Sequence, residues 1–160
     1  MRTKIFTSII FSILLVCANA QSQTNIVNNN NEFAFKIFKQ LVKTDTTNVF
    51  ISPISISTAL SMAYDGAKGQ TAKEMRKVLS FSKSQVQSHK EFCELLNFYS
   101  TQNSDLFKIV NSAVTQEKFA FLDSYISSLK DYNALIKTAD FVNPVNREAA
   151  RREINKWVEE

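Results

Sequence analysis

The sequence predicts an α+β chain, mostly helical with a few strands. Three observations lead there. Apolar residues recur at helical spacing in six segments. Three short apolar runs, Val49–Ile51, Leu106–Thr115 and Ala134–Phe141, lack that spacing and read as strands. The stretch Asn48–Glu74 holds both glycines and one of the two prolines, so its elements are short and sharply punctuated.

The first twenty residues stand apart. Arg2 and Lys4 precede the apolar run Ile5–Cys17, and Ala18-Asn19-Ala20 has the small-x-small form of a cleavage site. That pattern reads as a secretory signal peptide, and the run is too short for a membrane span. Lipoprotein anchoring at Cys17 is a minor alternative, disfavoured by bulky Val16 before the cysteine. Removing residues 1–20 would leave 140 residues, lower the net charge from +4 to +2 and leave Cys93 as the only cysteine. One thiol makes no internal disulfide. So small a charge is not the footprint of a nucleic-acid partner.

Gln21–Asn30, rich in asparagine, reads as a polar, mobile tail. Ala34, Ile37, Phe38 and Leu41 mark the first amphipathic helix. After the strand Val49–Ile51, Ser52 and Pro53 suit a helix start. The hydroxyl can cap free N–H groups, and proline at the first position loses no hydrogen bond. Ile56, Ala59, Leu60 and Ala63 give that helix its buried face. Gly66 falls where a left-handed stop is needed. Gly69 follows in the turn. Thr71 and Glu74 then form a capping-box pattern for a short helix with Met75, Val78 and Leu79 inside.

Val86, His89, Cys93, Leu96 and Ser100 trace the next helical face, flanked by Phe92 and Tyr99. Cys93 reads there as a small core residue, with reactive-thiol chemistry the lesser reading. His89, the only histidine, has no evident partner. In the run Leu106–Thr115, Asn111 is polar. A buried polar side chain left unbonded costs about 1–3 kcal/mol, so Asn111 should be hydrogen-bonded. Leu122, Tyr125, Ile126 and Leu129 form a helix that Asn133 can end in a left-handed conformation. The strands on either side could pair in parallel, or each could pair elsewhere. Asn143-Pro144 starts a last helix with Ala150, Ile154, Trp157 and Val158 inside. Glu159 and Glu160 put negative charge at the negative end of its dipole, and no stop signal follows. The chain therefore reads as cut within a helix. No nucleophile–base pair, acid–base pair or metal cluster is visible, so neither enzyme activity nor a cofactor is expected.

The motifs in order resemble the N-terminal part of the serpins. They are Asn48-Val-Phe-Ile-Ser-Pro-Ile-Ser-Ile56, Ala59-Leu60, Gly66-Ala-Lys-Gly-Gln-Thr71 with Glu74, Leu106-Phe-Lys-Ile-Val-Asn-Ser-Ala113, Asp140-Phe141 and Ile154-Asn-Lys-Trp-Val-Glu159. Upstream, Asn31–Leu41 is similar to the first serpin helix. The resemblance spans about Asn31 to Glu160 and implies a fold of three sheets and eight or nine helices, incomplete here. It implies a secreted suicide-substrate inhibitor of a serine or cysteine protease, with the reactive centre outside this chain. A non-inhibitory binding, storage or chaperone relative is the alternative. In the family, residues matching Ser52 and Ser55 lie where the largest sheet parts. Residues matching Asn111 and Asn155 lie nearby, and the helix ending at Trp157-Val158 crosses the sheet. Pro53, Gly66, Gly69 and Thr71 complete the candidate positions. Each keeps a structural alternative: Ser52 as a cap, Ser55 as a first-turn residue, Asn111 as a core amide. Glycosaminoglycan binding is not expected, because Lys83, His89 and Lys90 are interspersed with Glu91 and Glu94.

Overall fold

The computed structural model describes residues 25–43, 48–102 and 109–159. The predicted signal peptide, Cys17, the start of the polar tail and residues 106–108 of the predicted strand lie outside that range. The described residues form helix α1 (residues 25–43) and then α2 (Pro53–Gly66), α3 (Gly69–Val78), α4 (Gln85–Gln102), strand β1 (Asn111–Gln116), α5 (Asp123–Asp131), β2 (Ala134–Ala139) and α6 (Pro144–Glu159). This is a mostly helical chain with a small sheet. It divides into two compact units, one ending at Tyr99 and one beginning at Ser100.

The first unit is helical. Its core takes Ile26 and Phe33 from α1, Met62 and Tyr64 from α2, Leu79 and Phe81 from the end of α3 and beyond, and Phe92, Leu95 and Leu96 from α4. Tyr64 meets Phe81 at 5.6 Å between ring centroids, and Phe81 meets Phe92 edge-on at 6.2 Å. Such tilted contacts suit the ring quadrupoles. Helix α3 ends in a Schellman arrangement: Phe81 N–H reaches Arg76 O at 3.0 Å and Ser80 N–H reaches Lys77 O at 3.3 Å. Ser80 takes the left-handed conformation that this ending needs, with φ of 58°.

The first unit departs from the sequence reading in several places, and Val78, read as inside, is exposed. Helix α1 begins at residue 25, inside the stretch read as a polar tail, because Ile26 is wholly buried and Asn30 accepts a bond from Ser57. Val49–Ile51 forms no strand, and Phe50 is fully exposed. A strand exists only through a ladder, and the described residues offer this run none. Helix α2 buries Ser57, Thr58, Ser61, Met62 and Tyr64 instead of the predicted face, leaving Ala59 and Ala63 exposed. Gly66 is the last helical residue and is not left-handed; Ala67 ends α2 in extended conformation. The left-handed glycine is Gly69, with φ of 59°, at the start of α3.

The second unit is built on β1 and β2, adjacent and parallel, with Asn111 opposite Ala134 and Gln116 opposite Ala139. Of the two pairings left open by the sequence, the direct one forms. Helix α5 joins the strands and packs on β2, as does α6. Leu129 and Tyr132 are the buried apolar residues here. Asn133 ends α5 with φ of 54°, as its sequence position suggests.

Phe92 is wholly buried and Val86 largely exposed, although the sequence placed Val86 on the inner stripe. Phe92→Ala should therefore cost about 3–5 kcal/mol. Val86→Ala should stay within about 0.5 kcal/mol. Urea unfolding of both variants checks this, and similar losses would mean that the face is misassigned.

Candidate functional site

The sequence-derived positions fall into both units. Ser52, Pro53, Ser55, Gly66, Gly69 and Thr71 belong to the first, and Asn111, Asn155 and Trp157 to the second. In the first unit only Ser52 and Ser55 come together as a polar pair. Their hydroxyls lie 2.8 Å apart at the exposed start of α2. Pro53 is the first helical residue, as expected, but Ser52 makes no side-chain cap. Its oxygen faces Ser55 rather than the free N–H groups of the first turn.

The capping box is also absent. Helix α3 starts at Gly69, two residues before Thr71, so Lys68 holds the cap position and makes no side-chain cap bond. Glu74 instead accepts from Gln70 Nε2 at 2.8 Å, one helical turn back. Gly69 enables the early start, since a β-carbon disfavours its left-handed backbone. Nothing crowds the position where that β-carbon would sit.

In the second unit Asn111 is half-buried and donates from Nδ2 to Tyr132 O at 2.9 Å. The predicted need for a bond is met, and the acceptor is the residue that follows the last helical residue of α5. At the other end of the pair, Gln116 donates to Asp140 Oδ1 at 3.3 Å and accepts from Phe141 N–H at 2.7 Å. Asp140 also accepts from Asn146 Nδ2 and from the N–H groups of Val142 and Asn143. Asn146, the Asn143 N–H and Gln116 hold its carboxyl down at about 2. Asn143 caps α6 through Val145 N–H at 2.9 Å, as read from Asn143-Pro144. Trp157, Ile154 and Ala150 line a cleft of α6 against Val114 and Leu135 of the strands, with Lys137 and Glu153 bridged at 2.6 Å beside it. Asn155 is exposed, and Val158, predicted to lie inside, is exposed as well.

One cluster was missed. His89 Nδ1 and Asp65 Oδ2 lie 2.6 Å apart, joining α4 to α2. Cys93 Sγ lies 3.9 Å from His89 Nε2. His89 and Cys93, four residues apart, share a face of α4. Asp65 is remote in sequence, which is why His89 seemed to have no partner. The hydrogen bond that His89 donates to Asp65, and its contact with Cys93, raise His89 to about 11, against the opposing effect of burial. Among the described residues no group of three or more histidine, cysteine and acidic side chains is arranged to hold a metal ion, and no helix is long and apolar enough to cross a membrane.

A family model described as Serpin (serine protease inhibitor) matches residues 28–160. The chain is 35% identical over 147 residues to a leukocyte elastase inhibitor of Xenopus laevis, covering 85% of this chain and 36% of the relative. It is 40% identical over 135 residues to Serpin B6 of Macaca fascicularis, covering 82% and 35%. It thus spans about a third of the length of these relatives. Human thyroxine-binding globulin with a cleaved reactive loop superposes at a TM-score of 0.76 with 29% identity, over 86% of this chain and 41% of that one. Emu ovalbumin superposes at 0.74 with 29% identity, over 84% and 38%.

Two predictions follow from the geometry. The folded value of His89 lies above its ordinary 6.5. The stabilisation it supplies is therefore complete below about pH 6.5, declines as pH rises and is gone above about 11. Between pH 7 and 9 the native chain should lose stability faster than His89→Gln, by up to ~1.4 kcal/mol per pH unit. Parallel slopes in urea titrations would refute the assignment. Gly69→Ala should cost about 1–2 kcal/mol through backbone strain alone. Gly69→Asn should recover part of that loss, and equal losses would point to packing.

Proposed function

The chain belongs to the serpin family, and from that premise we propose that its full-length product is a protease inhibitor. The observation that carries this is the match over residues 28–160, with relatives that include a leukocyte elastase inhibitor. The target is a serine or cysteine protease, and the inhibitor acts as a suicide substrate. The protease cleaves an exposed loop, the loop inserts as a new strand into the largest sheet, and the acyl-enzyme is trapped. Strand addition supplies backbone hydrogen bonds that the intact sheet lacks, and this drives the trap. In this reading β1 and β2 are strands of that sheet and α6 is the helix that crosses it.

The Ser52–Ser55 pair is read as part of the opening device. A neutral hydrogen bond contributes about 1 kcal/mol, so a pair of hydroxyls can exchange partners at little net change. Asn111, Asn155 and Trp157 are read as elements that hold the sheet and its covering helix in register. Residues 1–160 alone are read as inactive, because β1 and β2 each present an outer edge unpaired among the described residues. Export is proposed from the pattern of residues 1–20. A glycosaminoglycan site is not proposed: Lys83 is 2.5 Å from Glu91, Lys90 is 3.9 Å from Glu94 and His89 is bonded to Asp65.

A second reading, a binding, storage or chaperone protein, is favoured by the likeness to thyroxine-binding globulin. The hinge of the reactive loop separates the two, since small residues there permit insertion and bulky or charged ones oppose it. The complete product, incubated with serine and cysteine proteases, should give a complex that survives denaturing electrophoresis. Cleavage without trapping across both classes would favour the second reading. Ser52→Ala and Ser55→Ala should each change stability by about 1 kcal/mol. They should also shift the number of inhibitor molecules cleaved per enzyme trapped. An unchanged ratio with altered stability would leave the pair a structural role only.

A further inference from the structure

We propose that Cys93 is a site of oxidation by small peroxides to sulfenic acid, with His89 as proton donor and Asp65 as the group that positions it. This does not depend on the inhibitor reading.

The three side chains form a relay from carboxylate to imidazole to thiol. Asp65 Oδ2 lies 2.6 Å from His89 Nδ1, and His89 Nε2 faces Cys93 Sγ at 3.9 Å. With Nδ1 held by the carboxylate, the ring presents its other nitrogen to the sulfur. The carboxylate also favours the imidazolium, so that nitrogen carries a proton to give. The side chain of Asp65 is 5% exposed and that of His89 19%. Cys93 is 8% exposed. The Asp65 carboxylate is thus sequestered, while the imidazole keeps part of its surface in solvent. A thiol this little exposed is reached more readily by a small peroxide than by a bulky one.

The chemistry balances. The sulfur loses its proton to solvent and attacks one peroxide oxygen. The S–O bond forms as the O–O bond breaks. Sulfur is oxidised by two electrons and peroxide is reduced by two. The departing hydroxide takes the Nε2 proton of His89 and leaves as water. His89 then regains a proton from solvent. The cationic N–H faces the sulfur throughout, so it also stabilises the charge that builds during attack.

The test uses the full chain. It is exposed to hydrogen peroxide, quenched with catalase, then unfolded in the presence of dimedone. Peptide mass spectrometry separates Cys93 adducts from those at Cys17. Cys93 in the folded chain should oxidise at least about tenfold faster than Cys93 in the urea-unfolded chain, given what a positioned acid contributes. His89→Gln should lose that advantage and Asp65→Asn most of it. A bulky alkyl hydroperoxide should show no such advantage. Slower oxidation in the folded chain than in the unfolded one would overturn the proposal, leaving Cys93 a shielded core thiol. So would an undiminished rate in a His89→Gln chain that circular dichroism shows to be folded. If that variant fails to fold, the ratio for the native chain decides.

Discussion

The helical unit depends on the hydroxyl face of α2. Ser57, Thr58 and Ser61 are all but sealed from solvent. A buried hydroxyl without a bond costs about 1–3 kcal/mol, so each must be satisfied. All three find a carbonyl of their own helix: Ser57 and Thr58 face Ile54 O at 3.0 and 2.7 Å, and Ser61 donates to Ser57 O at 2.7 Å. Ser57 also reaches out of the helix, to Asn30 Oδ1 at 2.5 Å. That bond fixes how α1 lies against α2, because Asn30 must face inward where Ile26 and Phe33 also point. At the far end of α2, Gln85 binds Tyr64 O and Ala67 O, and His89 binds Asp65. Helix α4 is thus placed by two polar ties before its apolar residues are counted.

Periodicity was enough to show that each helix exists, and it failed on which way α2 faces. Two sets of positions in α2 have helical spacing. Ile56, Ala59, Leu60 and Ala63 are the more apolar set, so hydropathy alone favours them. Serine and threonine that bond their own carbonyls present mostly aliphatic surface, and no hydropathy count records that. The strand read at Val49–Ile51 failed for another reason: a ladder is a property of two segments, and one run cannot reveal its partner. The same limit hid Asp65 from His89 and Tyr132 from Asn111. What was legible at Asn111 was the need, since a polar side chain in an apolar strand has few solutions. Asn133 was legible because left-handed geometry is local. Gly66 seemed equally local, yet α2 leaves through an extended Ala67 and the positive φ moves three residues on to Gly69.

The second unit is held at both ends of its strand pair. Asn111 ties the first residue of β1 to Tyr132, between α5 and β2, which fixes where β2 can begin. Gln116 ties the last residue of β1 to the segment after β2, through Asp140 and Phe141. A one-residue shift exchanges the two faces of a strand, which resists slipping only where one face is buried, and β1 is half-buried along its whole length. Side-chain bonds at both ends remove that freedom. Asp140 then organises the start of α6 through Asn146 and the N–H groups of Val142 and Asn143, so register and helix placement share one carboxylate.

The start of α2 puts a serine at the cap position and pairs it elsewhere. A serine that caps a helix stabilises it by about 1 kcal/mol. Ser52 occupies the cap position without making that bond, and its hydroxyl is paired with Ser55. The two arrangements, cap and pair, each use one neutral hydrogen bond and so differ by no more than about 1 kcal/mol. A switching element needs two discrete states of similar energy, not one deep minimum. Pro53 keeps the helix start in place in either state, because its φ is fixed and it offers no N–H to be lost. The first turn can therefore exchange side-chain partners without unwinding.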